Sequence, residues 1–271
     1  MSGASPRSPR DRIRRRREPG ARAAADSRVE LYGIHAIREA LRARRRPLYR
    51  LRLRQGTRHP EHRGLCTLAR EAGIAVEELA EEPRASDLNT QGAVLEAGPL
   101  PELSLDALVQ LEASPRTVVA LDGVEDPRNL GAIARAAEAT AAVGLLLTRR
   151  RSPPLSAAVS RASAGAIEWL PVARVTNLRR ALNDLKTKGF WVFGAEVEAP
   201  VGLYELPPRL LRGDRVVVFG GEAKGLARGI QQAVDHRVEV PMQGRIESLN
   251  VASAAAVILY ELRRRELVAG S

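Results

Sequence analysis

Three polar loops carry the residues of this chain whose types and spacing can do chemistry. The first reads Asp126-Pro-Arg-Asn-Leu-Gly-Ala-Ile-Ala-Arg135. Asp126-Pro127 makes a turn, and Asn129 is placed to cap the helix that follows. Arg135 stands six residues further on, off the stripe of that helix on which Asn129 lies. The second loop reads Phe219-Gly-Gly-Glu-Ala-Lys-Gly225, with Glu222 as its one acid. Its glycines allow close approach of the backbone to a ligand. It is not a dinucleotide fingerprint, nor a phosphate-binding P-loop, because Lys224 precedes its glycine and no Ser or Thr follows. The third reads Val240-Pro-Met-Gln-Gly-Arg-Ile-Glu-Ser-Leu-Asn250. It opens a C-terminal helix, with Ser248 at the cap position and polar groups near the free N–H groups of the helix start. Singly, each loop reads equally well as a tight turn or a cap.

Other chemistries are poorly supplied. Cys66 is the only cysteine, so no intrachain disulfide and no thiolate-rich zinc site can form. The pair His59-x-x-His62 lacks further spaced ligands and is a poor metal site. No Ser-His-Asp set, Cys-His pair or calcium loop is visible, so no metal is expected. The longest apolar run, at 141–147, is far short of the roughly 20 residues a membrane helix needs. A reducing, cytoplasmic setting is the expectation.

The elements that must position the loops alternate in type. Residues 29–33 read as a short strand, 35–45 as a helix stopped by Pro47, and 48–54 as a half-buried strand of alternating apolar and basic residues. A helix over 59–73 and strands at 74–79 and 93–96 complete a small α/β unit at 29–97. Residues 98–116 hold three prolines with weak patterning and read as a linker. From 117 onward, buried strands at 118–121, 143–148, 190–195, 215–219 and 237–240 are interleaved with helices at 129–140, 155–167, 178–186 and 248–266. That grammar predicts an α/β fold with a parallel sheet covered on both faces. Each of the three loops then follows a strand, where such sheets bind ligands.

The net charge of +11 points to a phosphate-bearing partner. It is unevenly spread: residues 1–28 carry +6, residues 29–100 carry +2, and the remainder +3. The first 28 residues are Arg-rich, have no apolar periodicity and read as a disordered polyanion-binding arm. Within 38–63, ten arginines meet only Glu39 and Glu61, while acids gather at 71–82, so the unit at 29–97 is expected to have one basic and one acidic face.

Taken together, the order and wording of the loops resemble the SpoU (TrmH-like) family of the SPOUT superfamily, S-adenosylmethionine-dependent RNA ribose 2′-O-methyltransferases. Ala162-Ser-Ala-Gly-Ala166 matches a further family segment. Leu31-Tyr-Gly-Ile-His-Ala-Ile-Arg-Glu-Ala-Leu41 and Gln91-Gly92 resemble the ribosomal-protein-L30e-like RNA-binding domain that precedes the catalytic one in the RlmB-type subgroup. That subgroup methylates a guanosine in the peptidyl-transferase region of 23S rRNA. The resemblance implies an RNA-binding domain at 29–97, a methyltransferase domain at 117–271 with a C-terminal trefoil knot, and a homodimer that completes the site. It implies Gly220, Val240 and Leu249 as cofactor contacts, and Asn129, Arg135, Glu222, Ser248 and Asn250 as the catalytic, RNA-facing set. Large-subunit rRNA or an assembling ribosomal particle is the implied partner. Two other roles compete: methylation of a tRNA guanosine, and a non-catalytic RNA-binding ribosome assembly factor. The wording departs slightly at Gly221 and at Ala252-Ser253, which touches the pocket's shape and not the reaction class.

Overall fold

The structure, a computed structural model, describes residues 28–56, 60–83, 89–222 and 224–269. The expected N-terminal arm, apart from Arg28, and His59 lie outside them.

The first layer is β1 (Val29–Tyr32), α1 (Ile34–Ala43), β2 (Leu48–Arg54), α2 (Pro60–Glu71), β3 (Ala75–Leu79) and β4 (Ala93–Ala97). Its four strands run in the order β1-β4-β2-β3, with β2 and β3 parallel and the other pairs antiparallel. The alternation of β2 sends Leu51 and Leu53 into a core with Leu31, Ile37, Leu41 and Leu95. Its arginines do not form a bare basic face. Arg50 pairs with Glu77 and Glu96 at 3.0 Å each, and Arg52 pairs with Glu30. Basic and acidic residues that are distant in sequence share one face because neighbouring strands bring them opposite each other. His62 bonds the Gln91 carbonyl at 3.0 Å, and the Gln91 side chain accepts from the Ile34 N–H at 3.2 Å.

The segment 98–116 holds α3 (Leu105–Val109), capped by Ser104 and with Leu108 and Val109 buried. There follow β5 (Thr117–Asp122), α4 (Pro127–Ala139), β6 (Gly144–Thr148), α5 (Ala157–Ala162), β7 (Val172–Val175), α6 (Leu178–Thr187), β8 (Trp191–Ala195), β9 (Val201–Gly202), β10 (Arg215–Gly220), α7 (Arg228–Gln231), β11 (His236–Glu239) and α8 (Val251–Ala269). The seven strands form one sheet in the order β7-β6-β5-β10-β8-β11-β9, and every pairing is parallel. Two-residue periodicity divides its apolar strands between two cores. Val119, Leu121, Leu145, Leu147, Val217 and Phe219 meet α4, α5 and α8. Val118, Ala120, Leu146, Val216 and Val218 meet α3, α6 and α7. Each fully buried Leu or Phe contributes roughly 1.5–3 kcal/mol.

Two expected helix boundaries move, and a strand appears that was not expected. The helix expected at 155–167 ends at Ala162, because Ala164 and Gly165 take left-handed conformations and a separate 3-10 turn follows at Ala166–Glu168. The strand at Val172–Val175, absent from the sequence reading, forms the edge beside β6. The last helix begins at Val251, three residues later than expected.

The Gly165 turn is where the first layer seats. At φ +88°, a side chain there is strained, and its Cβ would stand 2.6 Å from the Cβ of Glu39 on α1. Arg46, just past α1, donates to Glu168 at 2.8 Å, and Ser160 donates to the same carboxyl oxygen at 2.6 Å. Both charged side chains are essentially out of contact with water, at 0% and 1% exposure. Burial pushes the Glu168 carboxyl above its ordinary range, with Arg46 pulling it back only in part, and burial likewise lowers Arg46. Such a pair specifies an arrangement more than it stabilises one, because desolvation offsets the attraction. Trp169 donates to Glu39 at 3.0 Å, and Arg161 lies over the Tyr32 ring at 5.1 Å. Removing one member leaves the other charge buried and alone, so Glu168→Ala is expected to cost about 3–5 kcal/mol in urea unfolding. A loss below about 1 kcal/mol would show that the pair is relaxed by solvent.

Candidate active site

The three loops meet at the C-terminal ends of β5, β10 and β11. A cavity of about 760 Å³ opens there, within the roughly 300–1,000 Å³ of small-molecule sites. Gly220, Glu222, Val240, Ser248, Leu249 and Asn250 all line it. Its apolar lining includes Phe219, Met242 and Ile258, its acids include Glu198 and Glu247, and its cations include Lys224 and Arg237.

Backbone proximity explains the glycine. A Cβ on Gly220 would fall 2.1 Å from the Gly225 carbonyl carbon, so only glycine lets the loop fold back on itself at this point. Lys224, Gly225 and Leu226 of the returning segment also line the cavity.

Asn129 is not the helix cap. Asp126 caps α4, accepting from the Arg128 N–H at 2.7 Å, and Pro127 takes the first helical position. Asn129 is thereby released inside the first turn, and its amide donates to Glu222. Ser248 is not the cap of α8 either. Asn250 is: its Oδ1 accepts from the Ala252 N–H at 2.9 Å and the Ser253 N–H at 3.4 Å. With Oδ1 held by backbone donors, Nδ2 must face the other way. It donates to Glu222 Oε1 at 3.0 Å and to Asn129 Oδ1 at 3.1 Å. Asn129, Glu222 and Asn250 thus close a triangle of hydrogen bonds across 121 residues of chain. Ser248 lines the cavity and is exposed.

Arg135 is left outside. It is exposed on α4, does not line the cavity, and its side chain has no ion-pair or hydrogen-bond partner among the described residues. The structure adds one residue that the sequence reading did not single out, Asp122, the last residue of β5. Its carboxyl accepts from the Ala227 N–H at 2.8 Å and from Arg151 at 3.3 Å. The only sequence signal was an acid ending an apolar run.

Residues 116–260 match the model of the SpoU rRNA Methylase family, and residues 31–103 match that of RNA 2′-O ribose methyltransferase substrate binding. The chain belongs to the SpoU rRNA methylase family. It is an RNA 2′-O-ribose methyltransferase. A curated relative from Pseudomonas syringae, 23S rRNA (guanosine-2′-O-)-methyltransferase RlmB, is 35% identical over 87% of this chain and 95% of its own. The AdoMet-bound rRNA methyltransferase of Sinorhizobium meliloti superposes with a TM-score of 0.70 at 25% identity, covering 88% of this chain and 87% of that one. The SpoU methyltransferase AviRb of Streptomyces viridochromogenes shares the fold, with a TM-score of 0.73 at 22% identity and 92% coverage of both chains.

The two jobs of Asn250 can be separated. Asp caps a helix about as well as Asn, so Asn250→Asp is expected to keep the melting temperature. It sets a second carboxyl where a donor stood beside Glu222, and methyl transfer should fall at least about 100-fold. Turnover near wild type would show that the triangle has no part in the reaction.

Proposed function

We propose that this enzyme methylates the ribose 2′-hydroxyl of a guanosine in the peptidyl-transferase region of 23S rRNA, with S-adenosylmethionine held in the cavity at Gly220, Val240 and Leu249. The observation that carries this reading is the triangle of Asn129, Glu222 and Asn250, two of which line the cavity. The RlmB relative, aligned over nearly its whole length, supports the choice of 23S rRNA guanosine. The cavity suits the cofactor: apolar groups for a nucleoside, and both carboxyls (Glu198, Glu222 and Glu247) and cations (Lys224 and Arg237) for a ligand that carries charges of both signs. When bound, the cofactor supplies an electrophilic methyl group on a sulfonium centre.

The work left to the chain is to place a weak nucleophile and remove its proton. Glu222, held by two amides, is fixed in direction and able to accept or orient the hydroxyl proton. Asn129 and Asn250 fix it, and Ser248 stands on the approach of the ribose. Arg135, a permanent cation, serves by stabilising the developing alkoxide or the adjacent phosphate rather than as a literal base.

A homodimer and a C-terminal trefoil knot belong to the same reading. The free guanidinium of Arg135 calls for a second copy or for RNA to complete its surroundings. The outer side of α8 leaves Tyr260, Leu267 and Val268 exposed, an apolar strip that a second subunit would cover. The position of β10 between β5 and β8, with 240–251 closing the cavity, is the arrangement in which a threaded C-terminal segment would lie.

Mapping 2′-O-methyl sites in total RNA with and without the gene tests the substrate. Loss of one guanosine mark in 23S rRNA is expected, and loss of a tRNA mark alone would overturn the choice. In the purified enzyme, Arg135→Ala is expected to abolish transfer while cofactor affinity stays within about twofold, and turnover near wild type would remove Arg135 from the site.

A further inference from the structure

The arginines of the first layer are largely matched by carboxyls, as Arg50 and Arg52 show. Two at the end of β6 are not. Arg149 and Arg150 are both exposed, and their guanidinium groups have no ion-pair or hydrogen-bond partner among the described residues. Their backbone is nonetheless held. The Arg149 N–H donates to Val175 at 2.9 Å, extending the ladder between β6 and β7. The Arg150 carbonyl accepts from the Thr148 hydroxyl. Arg151, in a left-handed conformation at φ 59°, turns back to Asp122 at 3.3 Å.

The place of this turn is informative. On one side, Asp122 also binds the Ala227 N–H, and its carbonyl accepts from Gly221, the neighbour of Glu222. On the other side, the chain runs from 152 into α5, whose Arg161 lies on Tyr32 of β1. The turn that carries the two guanidinium groups therefore joins Asp122, which holds the loop of Glu222, to α5, which touches the layer that matches the substrate-binding model.

We propose that Arg149 and Arg150 bind backbone phosphates of the RNA strand that runs from the first layer to the methylation site. A planar guanidinium matches a phosphate in bidentate fashion. A backbone already fixed by the sheet and by Asp122 lowers the ordering cost of that contact. The inference rests on the functional reading above and adds the path of the substrate to it.

The test uses the full-length enzyme and a large-subunit rRNA transcript, with RNA binding measured apart from methyl transfer. Arg149→Ala combined with Arg150→Ala is expected to raise the apparent Kd for RNA roughly tenfold and to reduce the slope of log K against log salt by about 1.4, at about 0.7 per phosphate. Cofactor affinity is expected to stay unchanged, and the corresponding pair of Lys substitutions should restore most of the slope. Arg209→Ala with Arg212→Ala, two exposed cations near the N-terminal end of β10, should change neither value. A wild-type slope in the Arg149 and Arg150 variant would overturn the proposal, as would an equal loss in the Arg209 and Arg212 variant. Absence of methyl transfer by the wild-type enzyme would instead sink the functional reading, while the binding slopes still decide this one.

Discussion

The carboxyl of Asp122 is the constraint on which the site depends. It sits at the end of a buried strand, only 3% exposed, and a carboxyl so placed is tolerable only if its oxygens are bonded. Asp122 gathers partners from two separate loops: in the loop after β10 Gly221 donates to its backbone carbonyl and Ala227 to one carboxyl oxygen, and from the loop after β6 Arg151 donates to the other. The glycine loop after β10 is thereby clamped at both ends to β5. Glu222 lies inside that clamp, so its direction is decided before any ligand arrives.

Asn250 shows how the fold couples stability to function. One side chain ends the orphaned N–H groups of the longest helix with its oxygen and holds Glu222 and Asn129 with its nitrogen. An amide can do both because its donor and acceptor lie in one rigid plane and point in different directions. The orientation demanded by the helix start is the orientation the site uses. Preorganisation of this kind saves the reorganisation that a flexible polar group would undergo during reaction.

Electrostatics in this chain are read better as a map of pairing than as a net charge. Arginines on β2 are neutralised by facing glutamates, and Arg46 is buried against Glu168 to fix how the first layer sits on α5 and the turn after it. Arg149 and Arg150 at the end of β6, and Arg135 on α4, are exposed cations without a partner among the described residues. Long-range attraction follows the total, but positioning of RNA follows the unpaired groups.

The α/β class, the parallel sheet and its buried strands were legible in the sequence, since continuous apolar runs alternating with helical stretches admit few other arrangements. So were the three loops, and six of the predicted residues lie together on one cavity. The caps were misread at Asn129 and Ser248 because a cap is decided by local backbone: Asp126 with Pro127 pre-empts the first, and the later start of α8 passes the second to Asn250. The short strand at Val172–Val175 was missed because four residues carry too little periodicity. By itself, then, the sequence determined the layers and supplied the chemical groups, through patterns that act over a few residues. Only the tertiary structure decided which groups meet. Bonds between Asn129 and Glu222, Asp122 and Ala227, or Arg46 and Glu168 join residues about 90 to 120 positions apart. No local pattern encodes such a distance; the first two exist because parallel strands place their loops side by side at one edge of the sheet, and the third because the first layer seats on the turn after α5.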